Sequence, residues 1–349
     1  MKNLNINCPI NQTGYGIASL NILKELNKKY NVSYFPIGEP GVTNQLDFDI
    51  IKNVYEKQQS FDIHAPLLKI WHQFDLASHI GKGSYYAYPF FELDTFNNIE
   101  KKHMSIPDTL FVSSKWAQSI IYKNGIKTPT SVVPLGVDTD VFKPKPKINN
   151  NYIFLTIGKW EIRKSHDILP QIFKQAFPNE KDVELWILAS ENTNSYSNSE
   201  EIAKWKKLYY YPNIKVIPGV NTHIDIADII SQSDCGLYIS RAEGWNMELL
   251  ETMAMNKPAI ATNYSAHTEF CNSDNCYLID IDSTEEAYDG KAFQGQGNWA
   301  KIEKKQIDQT IDYMRHVYKN RISTNENGLK TAQIYSWKNS ADIISGCIN

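Results

Sequence analysis

The chain has 349 residues and a formal net charge of −3, so it is long enough for about two domains, and no charge excess names nucleic acid or an anionic membrane as an obligate partner. Its five cysteines are few, odd in number and without zinc-type spacing, which fits a reducing cytoplasm. No segment approaches the roughly 20 apolar residues that cross a bilayer, so we expect a soluble or at most peripheral protein.

From the N-terminus onward, short apolar runs alternate with amphipathic stretches. The strand-like runs of the first part are LNINC, VSYFPI, LKIWH, SYYAYPF and TLFVSS. The helix-like runs are IASLNILKELNKKY, after the first strand, and KWAQSIIYKNG, after the last of these strands. Alternation of this kind predicts a parallel sheet wound with helices.

Residues 142–151, FKPKPKINNN, predict a domain boundary. Two X-Pro steps and a polar run interrupt both the helical and the strand periodicity there. The pattern restarts with NYIFLTIGKW and continues with the strand-like runs ELWILA, IKVIPGV, CGLYIS and PAIATN, which helical segments separate. The second half therefore predicts another doubly wound α/β domain.

The stretch Arg241–Ala254 places two acids, Glu243 and Glu251, eight positions apart across a predicted loop-to-helix junction. Asn246 is a plausible N-cap for the helix formers that follow it. The free N–H groups and the positive dipole end of such a helix suit a diphosphate, and the flanking carboxylates could bind hydroxyls at both ends of one elongated ligand. The alternative is an ordinary strand, loop and helix with surface acids.

The same stretch resembles the signature of the family four retaining glycosyltransferases, which have the GT-B architecture. The matching residues are Glu243, Gly244, the aromatic Trp245, Leu249, Leu250, Glu251, Met253 and Ala254. The resemblance implies that Glu251 binds the ribose hydroxyls of a nucleotide sugar and that Glu243 binds the transferred sugar. It places the distal phosphate at the backbone around Asn246 and Met247. Glu248 departs from the pattern, because the family often carries an uncharged residue there.

By this resemblance the fold is α/β with two doubly wound Rossmann-like domains facing a central cleft. Residues 1–145 would form the acceptor-binding domain and residues 146–330 the nucleotide-sugar-binding domain. Residues 331–349, which include Trp337, would form a helix that crosses back onto the first domain. The segment 131–144, SVVPLGVDTDVFKP, resembles the family's closing strand and marks the hinge.

A basic segment follows the first strand of the second domain. Gly158, Lys159 and Lys164 occupy positions where the family keeps a basic pair against the donor phosphates, whose charge grows in the transition state. Lys159 stands where arginine is commoner, so Arg163 could take its part. Lys164 is the first candidate. A solvated basic loop is the alternative interpretation.

Two positions in the first domain are weaker candidates. Gly16, in TGYG, lies between the first strand and the first helix, where open α/β sheets bind ligands, although a plain tight turn is an equal alternative. His72, in LKIWHQFD, resembles the family histidine that meets the transferred sugar. A histidine satisfied at the rim of the core is the alternative. Glu92 also follows an apolar run, and we rank it below His72.

Further donor contacts are expected from two later loops. Gly219 matches a glycine near which the family's backbone borders the nucleobase. Thr262, Ser265 and His267 are expected near the same crevice, although the family often has paired glycines where Ser265 and Ala266 stand.

The sequence thus predicts a cytoplasmic glycosyltransferase that moves a sugar from a nucleotide-sugar donor, of UDP- or GDP-hexose type, to an acceptor hydroxyl. The resemblance implies retention by front-face attack with no enzyme nucleophile. No Asp-x-Asp segment stands in a convincing metal-binding context, so we expect no metal and no cofactor beyond the donor. An epimerase or hydrolase on the same fold, or a non-catalytic nucleotide-sugar-binding protein, is the alternative. The acceptor stays open between a glycan, a lipid-linked molecule, a small molecule, a protein and, less favoured, a modified nucleic acid.

Overall fold

The computed structural model describes residues 1–189 and 199–348. The chain divides into two compact units. Unit 1 comprises residues 1–136 and 335–349, and unit 2 comprises residues 137–334. The roles predicted for the two domains, acceptor binding and donor binding, stay predictions.

Unit 1 is built on a parallel six-stranded sheet in the order β2-β1-β3-β4-β5-β6. Its strands are β1 (Asn3–Cys8), β2 (Asn31–Pro36), β3 (Leu67–Lys69), β4 (Tyr85–Ala87), β5 (Thr109–Val112) and β6 (Thr130–Val132). Its helices are α1 (Gly14–Asn27), α2 (Gln45–Glu56), α3 (Asn98–Met104), α4 (Lys115–Lys123) and α12 (Trp337–Cys347), with a 3₁₀ turn at Lys57–Ser60. Strands β3 and β4 are buried throughout, as is typical of a parallel sheet covered on both faces.

The last helix of the chain packs within unit 1, as the sequence predicts. Ser336 caps α12, and Ser340 Oγ donates a hydrogen bond to the carbonyl of Pro134 at 2.6 Å. Lys29 at the end of α1 forms an ion pair with Asp342. A residue with a side chain at Gly136 would place its Cβ 2.1 Å from the backbone nitrogen of Trp337, so glycine is what allows this close approach.

Unit 2, within its described residues, contains a second parallel six-stranded sheet, in the order β12-β11-β10-β7-β8-β9. Its strands are β7 (Tyr152–Ile157), β8 (Val183–Leu188), β9 (Ile214–Ile217), β10 (Cys235–Tyr238), β11 (Ala259–Thr262) and β12 (Tyr277–Ile279). Its helices are α5 (Leu169–Ala176), α6 (Ser199–Leu208), α7 (His223–Gln232), α8 (Met247–Ala254), α9 (His267–Phe270), α10 (Lys304–Lys319) and α11 (Glu326–Ile334), with a 3₁₀ turn at Ile162–Lys164. The order reverses between β7 and β10, which is where open α/β sheets bind ligands.

An antiparallel hairpin of β13 (Thr284–Tyr288) and β14 (Gln294–Ala300) follows the second sheet. The sequence pattern does not predict this hairpin, because the glycine-rich QGQGN lacks the β-branched and aromatic residues typical of strands. Tertiary contacts hold it instead. Trp299 is buried with the Arg241 guanidinium 6.0 Å from its ring, and the N–H of Ala300 donates to the carbonyl of Arg241 at 2.8 Å.

Within residues 1–189 and 199–348, none of the helices combines the length and apolar character that crossing a bilayer requires. The five cysteines carry free thiols.

We expect Gly136→Ala to lower the free energy of unfolding of unit 1 by about 1–3 kcal/mol, the usual cost of overpacking, because its methyl group meets the backbone of α12. Chemical denaturation followed by circular dichroism measures this change. Gly41→Ala is the matched control, because a Cβ at Gly41 meets nothing within 4 Å. Equal stability of the two variants would contradict this seating of α12.

Candidate functional site

The candidate site lies at the reversal point of the second sheet. Gly158 follows the end of β7, and Lys164 lies in the 3₁₀ turn of the same loop. Glu243 belongs to the loop after β10, and Ser265 belongs to the loop after β11. Because the strands are parallel, these loops leave the same edge of the sheet, where ligands bind in open α/β folds.

Helix α8 begins at this edge, and Asn246 is its N-cap, as the sequence predicts. The Asn246 side chain accepts a hydrogen bond from the Leu249 N–H at 3.2 Å. Its backbone has a φ of 77°, a left-handed conformation that asparagine tolerates better than most residues with a side chain. The backbone N–H groups of Met247 and Glu248 have no hydrogen-bond partner among the described residues. They are therefore free to bind an anion.

His267 holds the side chain of the N-cap residue, Asn246, in place. Its Nδ1 lies 2.9 Å from the carbonyl of Thr262, which accepts the Nδ1 proton, and its Nε2 lies 2.9 Å from Asn246 Nδ2. In this tautomer Nε2 accepts a hydrogen bond from the Asn246 amide. Burial, more than any neighbouring charge, lowers the pKa of His267 and keeps the ring neutral. The loop after β11 thereby fixes the side chain that starts α8.

Glu243 is buried, with 4% of its surface exposed, and is paired with two cations. Its Oε1 lies 2.8 Å from Lys164 Nζ, and its Oε2 accepts a hydrogen bond from Arg163 Nη1 at 2.8 Å. Burial alone would favour the neutral acid, but Lys164 and Arg163 together hold the pKa of the Glu243 carboxyl well below its usual range. The Glu243 N–H also donates to Ser265 Oγ at 2.9 Å. This acid is therefore ionised, and residues of two other loops hold it in place.

Gly158 makes room for the Lys164 side chain. A Cβ at Gly158 would lie 3.0 Å from Lys164 Cε, and the φ of 151° there strains residues other than glycine. Burial would lower the pKa of Lys164, but the facing carboxylate of Glu243, followed by that of Glu248, raises it. Lys164 is thus a largely buried cation, with 10% of its side-chain surface exposed, beside the first turn of α8.

The other two candidate cations have different surroundings. Lys159 is exposed to solvent. Arg163 is buried and donates to the carbonyl of Ala242 at 2.8 Å and to Glu161 Oε2 at 2.7 Å, in addition to its bond with Glu243. Of the three, the structure places Lys164 and Arg163 against the Glu243 carboxylate and Lys159 at the surface.

Glu251 has the opposite environment to Glu243. It is 7% exposed, and no described residue offers its carboxyl group a hydrogen bond or an ion pair. Burial, with a smaller contribution from the Glu248 carboxylate, raises its pKa well above the usual range. A carboxyl group buried to this extent without a protein partner costs free energy unless water or a ligand satisfies it.

The remaining candidates of unit 2 are placed as follows. Gly244 and Trp245 are buried, and the Trp245 ring packs against Phe270 with ring centroids 4.8 Å apart, so its contacts support the loop. Gly219 is exposed just after β9, and a Cβ there would meet nothing within 4 Å.

In unit 1, Gly16 lies in the first turn of α1, the helix that follows β1, and His72 lies just after β3, the strand beside β1. A Cβ at Gly16 would lie 2.3 Å from the backbone of Asn11, so this position of α1 requires glycine. The His72 ring contacts Tyr15 at 4.5 Å and stacks on Phe74 at 4.9 Å between ring centroids.

No sequence motif assigns a role to Arg241, which the structure places against the Arg163 loop of the site. The Arg241 guanidinium forms two hydrogen bonds of 2.8 Å with Asp167, and the backbone N–H of Arg241 donates to the carbonyl of Arg163 at 2.7 Å. An arginine directly after a buried strand is the one signal in the sequence, because a buried guanidinium needs a carboxylate.

The family model described as Glycosyl transferases group 1 matches residues 151–290. This range contains the loop after β7, the Glu243 loop and all of α8. This part of the chain is therefore similar to the glycosyltransferases of group 1. No curated protein sequence matches the chain.

Solved structures similar to the chain support the same fold. Sucrose-phosphate synthase from Thermosynechococcus elongatus has a TM-score of 0.74 at 11% identity, with 99% of this chain and 98% of that chain covered. HepE of Anabaena, in complex with UDP-glucose, has a TM-score of 0.70 at 14% identity, with 99% of both chains covered. The UDP-forming trehalose-phosphate synthase of Burkholderia xenovorans has a TM-score of 0.70 at 8% identity, with 100% of both chains covered.

Identities this low show the fold alone, and they confirm the predicted GT-B fold with two Rossmann-like domains. The group 1 domain confirms the predicted enzyme class, a glycosyltransferase. The retaining mechanism, the family-four detail and the roles of single residues stay predictions.

We expect Glu251→Gln to raise the melting temperature of the glycosyltransferase domain at neutral pH by roughly 2–4 °C, the shift that about 1 kcal/mol produces. Burial in the folded chain raises the pKa of Glu251. At any pH between the unfolded-state pKa of about 4.3 and the folded-state pKa, unfolding therefore releases a proton, and the free energy of unfolding falls as the pH rises. Stability is therefore lost over that window in the wild type but not in the glutamine variant.

Thermal melts across a pH series measure the effect, and the two proteins should converge at acidic pH. Glu248→Gln is the control, because that acid lies on the same helix but is partly exposed. A constant difference at every pH would exclude the ionisation of Glu251 as its cause.

Proposed function

We propose that the protein is a cytoplasmic, retaining, metal-independent glycosyltransferase that moves a hexose from UDP-hexose or GDP-hexose to an acceptor hydroxyl. The observation that carries this proposal is the buried, unpartnered carboxyl of Glu251 on the same helix whose N-terminus presents free N–H groups beside Lys164. A ligand with a diol and a diphosphate binds both groups, with the diol at the Glu251 carboxyl group and the diphosphate at the N-terminus of α8.

The donor fits α8 in a defined direction. The diphosphate binds the free N–H groups of Met247 and Glu248, where the helix dipole is positive, with Lys164 as the nearby cation. The ribose hydroxyls donate to Glu251, which ionises when they do. Two proteins of the same fold support a UDP donor ahead of a GDP donor. HepE is in complex with UDP-glucose, and the trehalose-phosphate synthase is UDP-forming.

Glu243 binds the hydroxyls of the transferred hexose. A hydroxyl donates to an ionised carboxylate more strongly than to a neutral acid, and Lys164 and Arg163 keep Glu243 ionised. Its geometry is preset because Ser265 and both cations hold it before the donor arrives.

Transfer then needs no enzyme nucleophile. The bond from the anomeric carbon to the phosphate oxygen breaks, the acceptor oxygen bonds to the same face, and the acceptor proton passes to the leaving phosphate. Charge develops on that phosphate, so Lys164 and the α8 N-terminus lower the barrier. The sequence has three Asp-x-Asp segments, at residues 47–49, 138–140 and 280–282, and one aspartate of each has another partner. Asp47 forms an ion pair with Lys24 at 2.6 Å, Asp138 accepts from the Asp140 N–H at 3.0 Å, and Asp282 accepts from Lys305 at 2.7 Å.

The first test is a thermal-shift panel of UDP, GDP, ADP, CDP and dTDP sugars. We expect a selective shift with a UDP or GDP hexose, reduced at least about tenfold in affinity in Glu251→Gln because an amide accepts the ribose diol less well than a carboxylate. The shifted donor is then assayed for glycoside formation in the presence of EDTA, with the anomer determined by NMR.

Each outcome distinguishes the proposed function from one alternative function. Donor binding with no new glycoside under a broad acceptor screen favours a binding protein. Loss of the sugar without an acceptor favours a hydrolase, and a new epimer of the donor favours an epimerase. Activity that EDTA abolishes and only a divalent ion restores would contradict metal independence.

A second prediction concerns the pair of Lys164 with Glu243. We expect Glu243→Gln to bind UDP several-fold more tightly than the wild type, because Lys164 no longer faces a carboxylate and its charge is available to the phosphates. Transfer of the sugar should fall by at least about tenfold, since the carboxylate that binds the sugar hydroxyls is lost.

Calorimetry with UDP and steady-state kinetics measure the two effects. Lys164→Met is the companion variant, in which UDP affinity should fall. Weaker UDP binding by Glu243→Gln would show that Glu243 does not compete with the phosphates for Lys164.

A further inference from the structure

Unit 1 carries an aromatic cluster at the reversal point of its own sheet. The order β2-β1-β3 reverses between β1 and β3, and the loops after these strands leave the ligand-binding edge. Tyr15 follows β1, and Trp71, His72 and Phe74 follow β3. We call these four residues the aromatic cluster.

The rings of the cluster contact one another. Ring centroids are 5.5 Å apart for Tyr15 and Trp71, 4.6 Å for Trp71 and His72, and 4.9 Å for His72 and Phe74, which stack with 9° between their planes. These separations are those of favourable aromatic pairs. The cluster is therefore one continuous surface.

Hydrogen bonds hold the rings of Tyr15 and Trp71 in place before any ligand binds. The Tyr15 hydroxyl accepts from the Phe90 N–H at 2.7 Å and donates to the Phe90 carbonyl at 2.9 Å. Trp71 Nε1 donates to Asp75 Oδ2 at 3.1 Å. A surface whose rings are held in place loses little entropy when a ligand stacks on it.

The cluster is partly open to solvent. Phe74 is 50% exposed, and Trp71 is partly exposed. Asp75, at the edge of the cluster, keeps 55% of its side-chain surface exposed. The edge of the sheet thus presents apolar ring faces beside a carboxylate that accepts hydrogen bonds.

The charge of the cluster disfavours an anionic ligand. The segments that carry the rings and their partners, residues 9–16, 70–75 and 88–92, contain no lysine or arginine but include Asp75 and Glu92. The cation beneath them, Lys69, is 2% exposed, donates to Ser78 Oγ at 2.7 Å and lies 3.9 Å from Asp75. None of these segments offers a phosphate group an available cation, and the exposed carboxylate of Asp75 would repel it.

We propose that the aromatic cluster is the acceptor site and that the acceptor is an uncharged sugar; this rests on the proposed function above. The apolar C–H face of a pyranose packs on the rings of Trp71 and Phe74, and a hydroxyl at its edge donates to Asp75. Sugars combine such a face with such an edge, whereas nucleic acids and sugar phosphates bring charge that this surface repels.

The experiment compares acceptors with the donor identified above. The neutral probes are methyl glucopyranoside, methyl mannopyranoside and maltose, and the anionic probes are glucose 6-phosphate, fructose 6-phosphate and a single-stranded oligonucleotide. We expect transfer to a neutral probe, with an acceptor KM about tenfold higher in Trp71→Ala and in Phe74→Ala, and partial recovery in Trp71→Phe. Donor affinity should stay unchanged in these variants.

Phe48→Ala is the matched control, because Phe48 is a 52% exposed phenylalanine on α2 of the same unit and outside the cluster. Saturation-transfer NMR with the neutral probes tests binding to the cluster even without a donor. Preference for an anionic probe, or neutral-sugar binding that neither Trp71→Ala nor Phe74→Ala weakens, overturns the inference. Failure of every donor to bind overturns the proposed function instead.

Discussion

The buried carboxylate of Glu243 is the contact on which the rest of the site depends. It joins the loop after β7, through Lys164 and Arg163, to the loop after β10, and its backbone joins the loop after β11 through Ser265. A charge buried this deeply is tolerated only when paired and hydrogen-bonded, so the three loops must fold together. The geometry at the start of α8 follows from that requirement.

The two acids of one short motif have opposite environments. Glu243 is paired and ionised, whereas burial without a partner raises the pKa of Glu251. Contrasted environments of this kind are typical of functional sites. Under the proposed function, Glu251 also illustrates how function opposes stability, because a buried carboxyl group that serves to bind a ligand lowers the stability of the protein on its own.

Both units bring loops together where the strand order of the sheet reverses, but the loops of the two units carry different side chains. Each sheet has one point where the strand order reverses, and parallel strands bring loops together there. In unit 2 those loops carry buried ion pairs and a helix N-terminus. In unit 1 they carry oriented aromatic rings beside the exposed Asp75 carboxylate, a surface suited to stacking.

Periodicity and local chemistry in the sequence determined the two parallel α/β units, the strand before Glu243 and the N-cap at Asn246, because these depend on neighbours along the chain. Tertiary structure alone decided the rest. Arg163 faces Glu161 and Glu243, Trp245 packs on Phe270, and Arg241 supports the β13–β14 hairpin. Partners such as these lie up to some eighty residues apart, as Arg163 and Glu243 do, so only folding shows which buried charge is paired and which, like Glu251, stays available.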